Sequence, residues 1–98
     1  MHARMTIVEA EPDQADSFLS VLQEQVLPRA RQWQGYRGVV SLIDRSTGKI
    51  VTVTFWETEE AMRASDESAG QLRSDAMADA GVSQPPTVER YEVAVFEV

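Results

Sequence analysis

The sequence predicts an α+β protein with the element order strand, helix, strand, strand, helix, strand, and three observations carry that expectation. In Val51-Thr-Val-Thr-Phe-Trp56, apolar and other residues alternate with the two-residue period of a pleated strand, and the run leads directly into a helix start at Thr58. A second stretch places Ala15, Phe18, Leu19, Leu22, Val26, Ala30 and Trp33 at the three-and-four spacing of a half-buried helix. Between two strand-like runs, Arg45-Ser-Thr-Gly48 has the composition of a hairpin turn.

Each element follows from local chemistry. Ala3 to Glu9 reads as the first strand, with Ala3, Met5 and Ile7 on one face and Arg4, Thr6 and Val8 on the other. Glu11-Pro12-Asp13 breaks it, and Asp13 is the expected cap of the first helix. Pro28 falls inside the apolar stripe, where it removes one backbone hydrogen bond and bends or loosens the helix. Gln34-Gly35 ends that helix, Tyr36 to Asp44 is the second strand, and Lys49 to Glu57 is the third. At the next junction the Thr58 hydroxyl can accept an orphan N–H, and Glu59 and Glu60 meet the positive end of the helix dipole. An interruption is expected over Ser65 to Gly70, then helix again as far as Ala80, stopped by Gly81. Val88 to Val98 is the last strand.

Composition narrows the function classes. A chain of 98 residues suits one small domain, 1–98, and 43% hydrophobic with 26% charged residues is an ordinary globular balance. The net charge of -7 argues against nucleic acid, which needs a basic footprint, and against an anionic membrane surface. No apolar run approaches the roughly 20 residues of a membrane helix, and the N-terminus lacks signal-peptide features; the expectation is a cytoplasmic protein. With no Cys, one His (His2) and no carboxylate pair at ligand spacing, no metal site is expected. Gly35-x-x-Gly38 opens a strand, so it is no phosphate loop, and a Ser–His–acid relay would have only His2 to use.

The element order suits a ferredoxin-like βαββαβ fold, an antiparallel sheet with both helices on one face. Two helices cannot cover both faces. The strands nevertheless carry apolar groups on both, Val40 and Leu42 against Val39 and Ile43, Val53 and Phe55 against Ile50 and Trp56. A bare apolar face of that size predicts a homodimer packed sheet to sheet.

Leu27-Pro28, Gln34-Gly35-Tyr36-Arg37-Gly38 and above all Phe55-Trp56-Glu57-Thr58-Glu59-Glu60-Ala61 resemble the antibiotic biosynthesis monooxygenase family, a branch of the dimeric α+β barrels, over nearly the whole chain. The resemblance implies a dimeric barrel and no cofactor. Members include cofactor-independent oxygenases of polycyclic phenols or quinols, haem-degrading oxygenases, and many proteins without known activity. The haem-degrading members carry an Asn on the first strand and a Trp and a His on the second helix. This chain has no Asn, its His is at position 2, and Ala64 and Ser74 stand near the Trp and His positions, so haem degradation is not expected. The phenol-oxidising members carry an Asn and a Trp at the pocket; Trp56 supplies the second alone.

Catalytic residues are not identifiable from the sequence. Candidates to bind a small apolar or aromatic ligand are. Trp56 closes a strand where sheet and helix diverge, offering a flat wall and one N–H. Its ordinary alternative is a core tryptophan, because large aromatics mainly serve packing. Phe18, Leu22, Met62, Met77 and Trp33 could line a cleft between helices and sheet, although such stripes usually mean core. Tyr36, Tyr91, Arg73 and Arg90 could supply the few polar contacts, an arginine favouring the phenolate form of a phenol. Two readings stand: a cofactor-independent monooxygenase acting on a small aromatic or polycyclic substrate, and a non-catalytic dimeric barrel that binds or senses a small molecule. A cleft near Trp56 with convergent polar groups favours the first, a purely aliphatic interior the second.

Overall fold

The computed structural model describes residues 1–98. Strand β1 (His2–Glu9) leads into helix α1 (Pro12–Val21), a π-helical turn (Leu22–Val26) and the short α2 (Leu27–Ala30). The hairpin β2 (Tyr36–Asp44) and β3 (Lys49–Trp56) follows, then α3 (Glu59–Ala64), α4 (Asp66–Asp79) and β4 (Thr87–Glu92). The four strands form one antiparallel sheet in the order β2-β3-β1-β4, the ferredoxin-like arrangement. No helix is long and apolar enough to cross a membrane.

Register decides what each face carries. Arg4 pairs with Thr54, Thr6 with Thr52 and Val8 with Ile50, so these residues share the face beneath the helices. There Val8, Ile50, Phe18, Ala76 and Met77 form the centre of the core. On the opposite face two cross-strand rows run Val40–Val53–Met5 and Leu42–Val51–Ile7. Leu42 is 57% exposed there and Val40 41%.

Three local differences from the sequence expectation, and the loosening at Pro28, have simple causes. The cap of α1 is Glu11, not Asp13: Pro12 takes the first helical position, where its missing N–H is no loss, and the Glu11 amide donates to the Gln14 side chain. Pro28 loosens the first helix without ending it, as its missing N–H leads one to expect. The wide turn before it, in which the Leu27 amide bonds the Leu22 carbonyl, is the adjustment a mid-helix proline calls for. The second helix breaks at Ser65 alone, where the hydroxyl donates to the Met62 carbonyl, and helix resumes at Asp66. The last strand stops at Glu92, because the Val93 amide reaches the Met1 carbonyl and β1 then offers no further partner. Beyond it Phe96 lies edge-on against Phe55, ring centroids 5.5 Å apart, on the outer face of the sheet.

Candidate functional site

The junction of β3 with α3 forms as its sequence dictates, and it builds one wall of a cleft. Thr58 caps α3, its hydroxyl accepting from the Ala61 amide at 3.0 Å. Gly35, at φ 81°, brings the start of β2 against α3; a Cβ there would meet that of Ala61 at 2.5 Å. This close approach gathers three rings. Trp33 stacks on Trp56 with centroids 6.3 Å apart and planes at 20°, and Tyr36 meets Trp56 edge-on at 5.9 Å. Trp56 is fully buried, and its indole N–H is spent on the Thr54 hydroxyl at 3.0 Å.

Arg4 is the largest surprise of the interior. It is 4% exposed, with its guanidinium 5.2 Å from the Trp56 ring centroid. One guanidinium nitrogen donates to the Met62 carbonyl, to Ser65 Oγ and, at 2.8 Å, to Asp66 Oδ1. A buried charge survives only when paired in this way. Burial is the main influence on Arg4 and lowers its pKa; Asp66 opposes the shift and Arg90 adds to it. Arg90 comes from β4 to bind both carboxylate oxygens of the same Asp66, at 3.3 and 3.2 Å.

Between sheet and helices lies a cavity of about 60 Å³. Its floor is Arg4, Thr6, Thr52, Thr54 and Trp56. Its roof is apolar: Phe18 from α1, Leu22 and Val26 from the π turn, and Ala30. Such turns in an α-helix recur at functional sites, and this one presents two side chains to the cavity. Arg73 enters from α4 with Ala69 and Ala76 on its flanks. It takes part in no ion pair of the chain, whereas Arg4 and Arg90 both hold Asp66. Burial lowers its pKa first, then the charges of Arg4 and Arg90, with Asp66 opposing. Trp33 belongs both to this cavity and to an open groove of about 370 Å³ beside Gln34, Ala61, Ser65 and Ser68.

Of the residues singled out from sequence, Trp56, Trp33, Phe18, Leu22 and Arg73 come together at this cavity. Met62 is buried under α3 and offers its carbonyl to Arg4, Met77 belongs to the core cluster, and Tyr36 stands behind Trp56. Tyr91 is half-exposed on β4, and Glu89 raises the pKa of its phenol. The lining residues that the sequence does not point to are Arg4, Thr6, Thr52 and Thr54. The signal was present in part, since alternation puts Arg4 and Thr6 on the Val8 face.

Fold and cleft together define a ferredoxin-like α+β protein whose interior, beneath two helical arms, is partly polar. The chain belongs to the antibiotic biosynthesis monooxygenase family, whose model matches residues 1–77. It is 34% identical over 97 residues to the uncharacterized protein Rv2558 of Mycobacterium tuberculosis, covering 98% of this chain and 40% of that protein. The chain thus spans about two-fifths of the length of the curated relatives it matches. Among solved structures, a monooxygenase from the gene ActVA-Orf6 of Streptomyces coelicolor, in complex with the ligand nanaomycin D, superposes with a TM-score of 0.74 at 19% identity, covering 99% of this chain and 91% of that one. NE2512, a protein of unknown function from Nitrosomonas europaea, gives 0.73 at 23%, covering 99% and 92%. These structures share the fold.

Proposed function

We propose that this chain is a cofactor-independent monooxygenase acting on a small aromatic or polycyclic substrate, and that it works as a homodimer joined through the outer sheet faces. One observation carries the reading: an unpaired cation, Arg73, enters an otherwise largely apolar cleft beside Trp56. A purely aliphatic interior would have suited the sensing alternative. An arginine beside a phenol or enol favours the deprotonated, electron-rich form. That form passes an electron to O₂, the two radicals join as a carbon-bound hydroperoxide, and loss of water leaves a carbonyl. In sum, R₂CH₂ and O₂ give R₂C=O and H₂O. The protein supplies positioning, dryness and charge placement. At 10–15 Å³ per water the cavity holds about four to six waters, so an aromatic ring enters only as the walls part. Trp33, shared with the open groove, is the wall placed to move.

Anthrone, whose CH₂ would become the carbonyl of anthraquinone, is a direct probe. Oxygen uptake with equimolar anthraquinone formation, in the presence of a chelator, is the expected result. Arg73→Gln should slow it by about tenfold or more, the worth of one charge-assisted contact. Binding of anthrone without oxygen uptake would favour the sensing alternative and end the enzymatic reading.

A further inference from the structure

The charge around the cleft is unbalanced in a way that a neutral ring, or even one phenolate, does not use up. Three of the nine basic residues, Arg4, Arg73 and Arg90, gather around one carboxylate, Asp66, in a chain whose net charge is -7. Asp66 offsets one of the three. Arg4 is fixed by its three acceptors and its seat over Trp56, and Arg90 is fixed by both Asp66 oxygens. Arg73 has no such partner, and it belongs to two spaces at once. It lines the interior cavity, and also an open groove of about 310 Å³ on the other side of α4, beside Gly70, Ser74 and Pro85-Pro86. Arg73 therefore stands between the interior cavity and solvent. In the cavity, the hydroxyl of Thr52 is engaged with Ser41, that of Thr54 accepts from the Trp56 indole and keeps its own O–H to donate, and that of Thr6 is a further donor beside Arg4.

We propose that the ligand of this cleft is an aromatic carboxylic acid bearing a hydroxyl, its ring in the apolar cavity and its carboxylate on Arg73. This inference rests on the reading of the cleft as an aromatic site and adds the second, anionic group. The geometry favours a carboxylate because a planar guanidinium pairs with it through two parallel N–H donors. The surplus of two positive charges matches a phenol held deprotonated together with one carboxylate.

Calorimetric titration under argon with three probes of one shape tests it: 1-hydroxy-2-naphthoate, 1-hydroxy-2-naphthamide and 1-naphthol. The acid should bind about tenfold or more tighter than the amide and weaken with added salt. Arg73→Gln should bring acid and amide within about twofold of each other, while Arg73→Lys keeps part of the preference. The melting temperature of each variant, taken in parallel, separates lost binding from lost folding. Should the acid and amide bind the native protein equally, the anionic subsite is refuted while the aromatic site stands. If no probe binds, both readings fall. Tight binding of the acid with no oxygen uptake afterwards would sustain the anionic subsite and refute the oxygenase.

Discussion

Over part of their extent, beside the Val8–Ile50 core, the two faces of the sheet run against the usual distribution of polarity. The face under the helices carries Arg4, Thr6, Thr52 and Thr54, whereas the bare face carries Met5, Ile7, Val51, Val53, Val40 and Leu42. A covered face could have been filled with aliphatic groups at lower cost. Here it holds a charge whose donors must each find an acceptor. The bare face is built as an interior would be, with branched and long aliphatic side chains aligned in cross-strand rows. The comparison teaches where the two proposals divide the sheet, the ligand cleft resting on the polar groups of its shielded half and the dimer on the apolar rows of its open half.

The largest test strikes the shielded face. Trp56→Ala removes a fully buried indole that anchors Trp33, Tyr36 and Arg4 together. Urea unfolding should show a loss of about 3–5 kcal/mol. A loss below about 1 kcal/mol would mean that the stack collapses to fill the gap, and that the shielded face is less rigid than its contacts indicate. The next effect belongs to the bare face. Leu42→Lys puts a charge into the row Leu42–Val51–Ile7. Sedimentation equilibrium should show the dimer weakened by about a hundredfold, near 2.7 kcal/mol. An unchanged dimer would place the interface elsewhere, and an unaltered monomer in the parent chain would remove the dimer itself.

The smallest effect concerns Tyr36, against the edge of Trp56. Burial raises its phenol pKa and Arg31 opposes the shift. A raised pKa in an acid means that the fold favours the neutral form. That contribution is complete below the unfolded value of about 10 and is lost as pH rises through it toward the folded value. Melting temperatures of the parent chain should therefore decline over that alkaline window more steeply than those of Tyr36→Phe. Parallel curves would show that the phenol is as well solvated folded as unfolded.

What could be read from the sequence was local, and what could not was distant. Thr58 with its two following glutamates announces a helix start within four residues, and the alternation of β3 fixes its faces without knowledge of the rest. Arg4 is the opposite case. Its acceptors lie 58, 61 and 62 residues further along, so no local pattern distinguishes a guanidinium aimed at the core from one aimed at water. Arg73 is a candidate polar contact by residue type, yet its lack of a partner depends on where Arg90 and Asp66 fall across α4 and β4. Phe96 shows the same limit from the other side. Alternation extends the last strand through it, but a strand needs a neighbour, and the residues after Val93 have none in the sheet.

The stacked pair Trp33–Trp56 has a further, optical consequence. The chain contains two tryptophans, and both stand at the wall of the cleft with their planes nearly parallel. Every photon that an indole of this protein absorbs is therefore absorbed at that wall, and at 6.3 Å the two transition dipoles couple as one chromophore. A guest that slides along Trp33, or parts it from Trp56, changes emission and near-ultraviolet dichroism together, with no background from distant indoles. The molecule carries its own reporter at the place where its chemistry is expected.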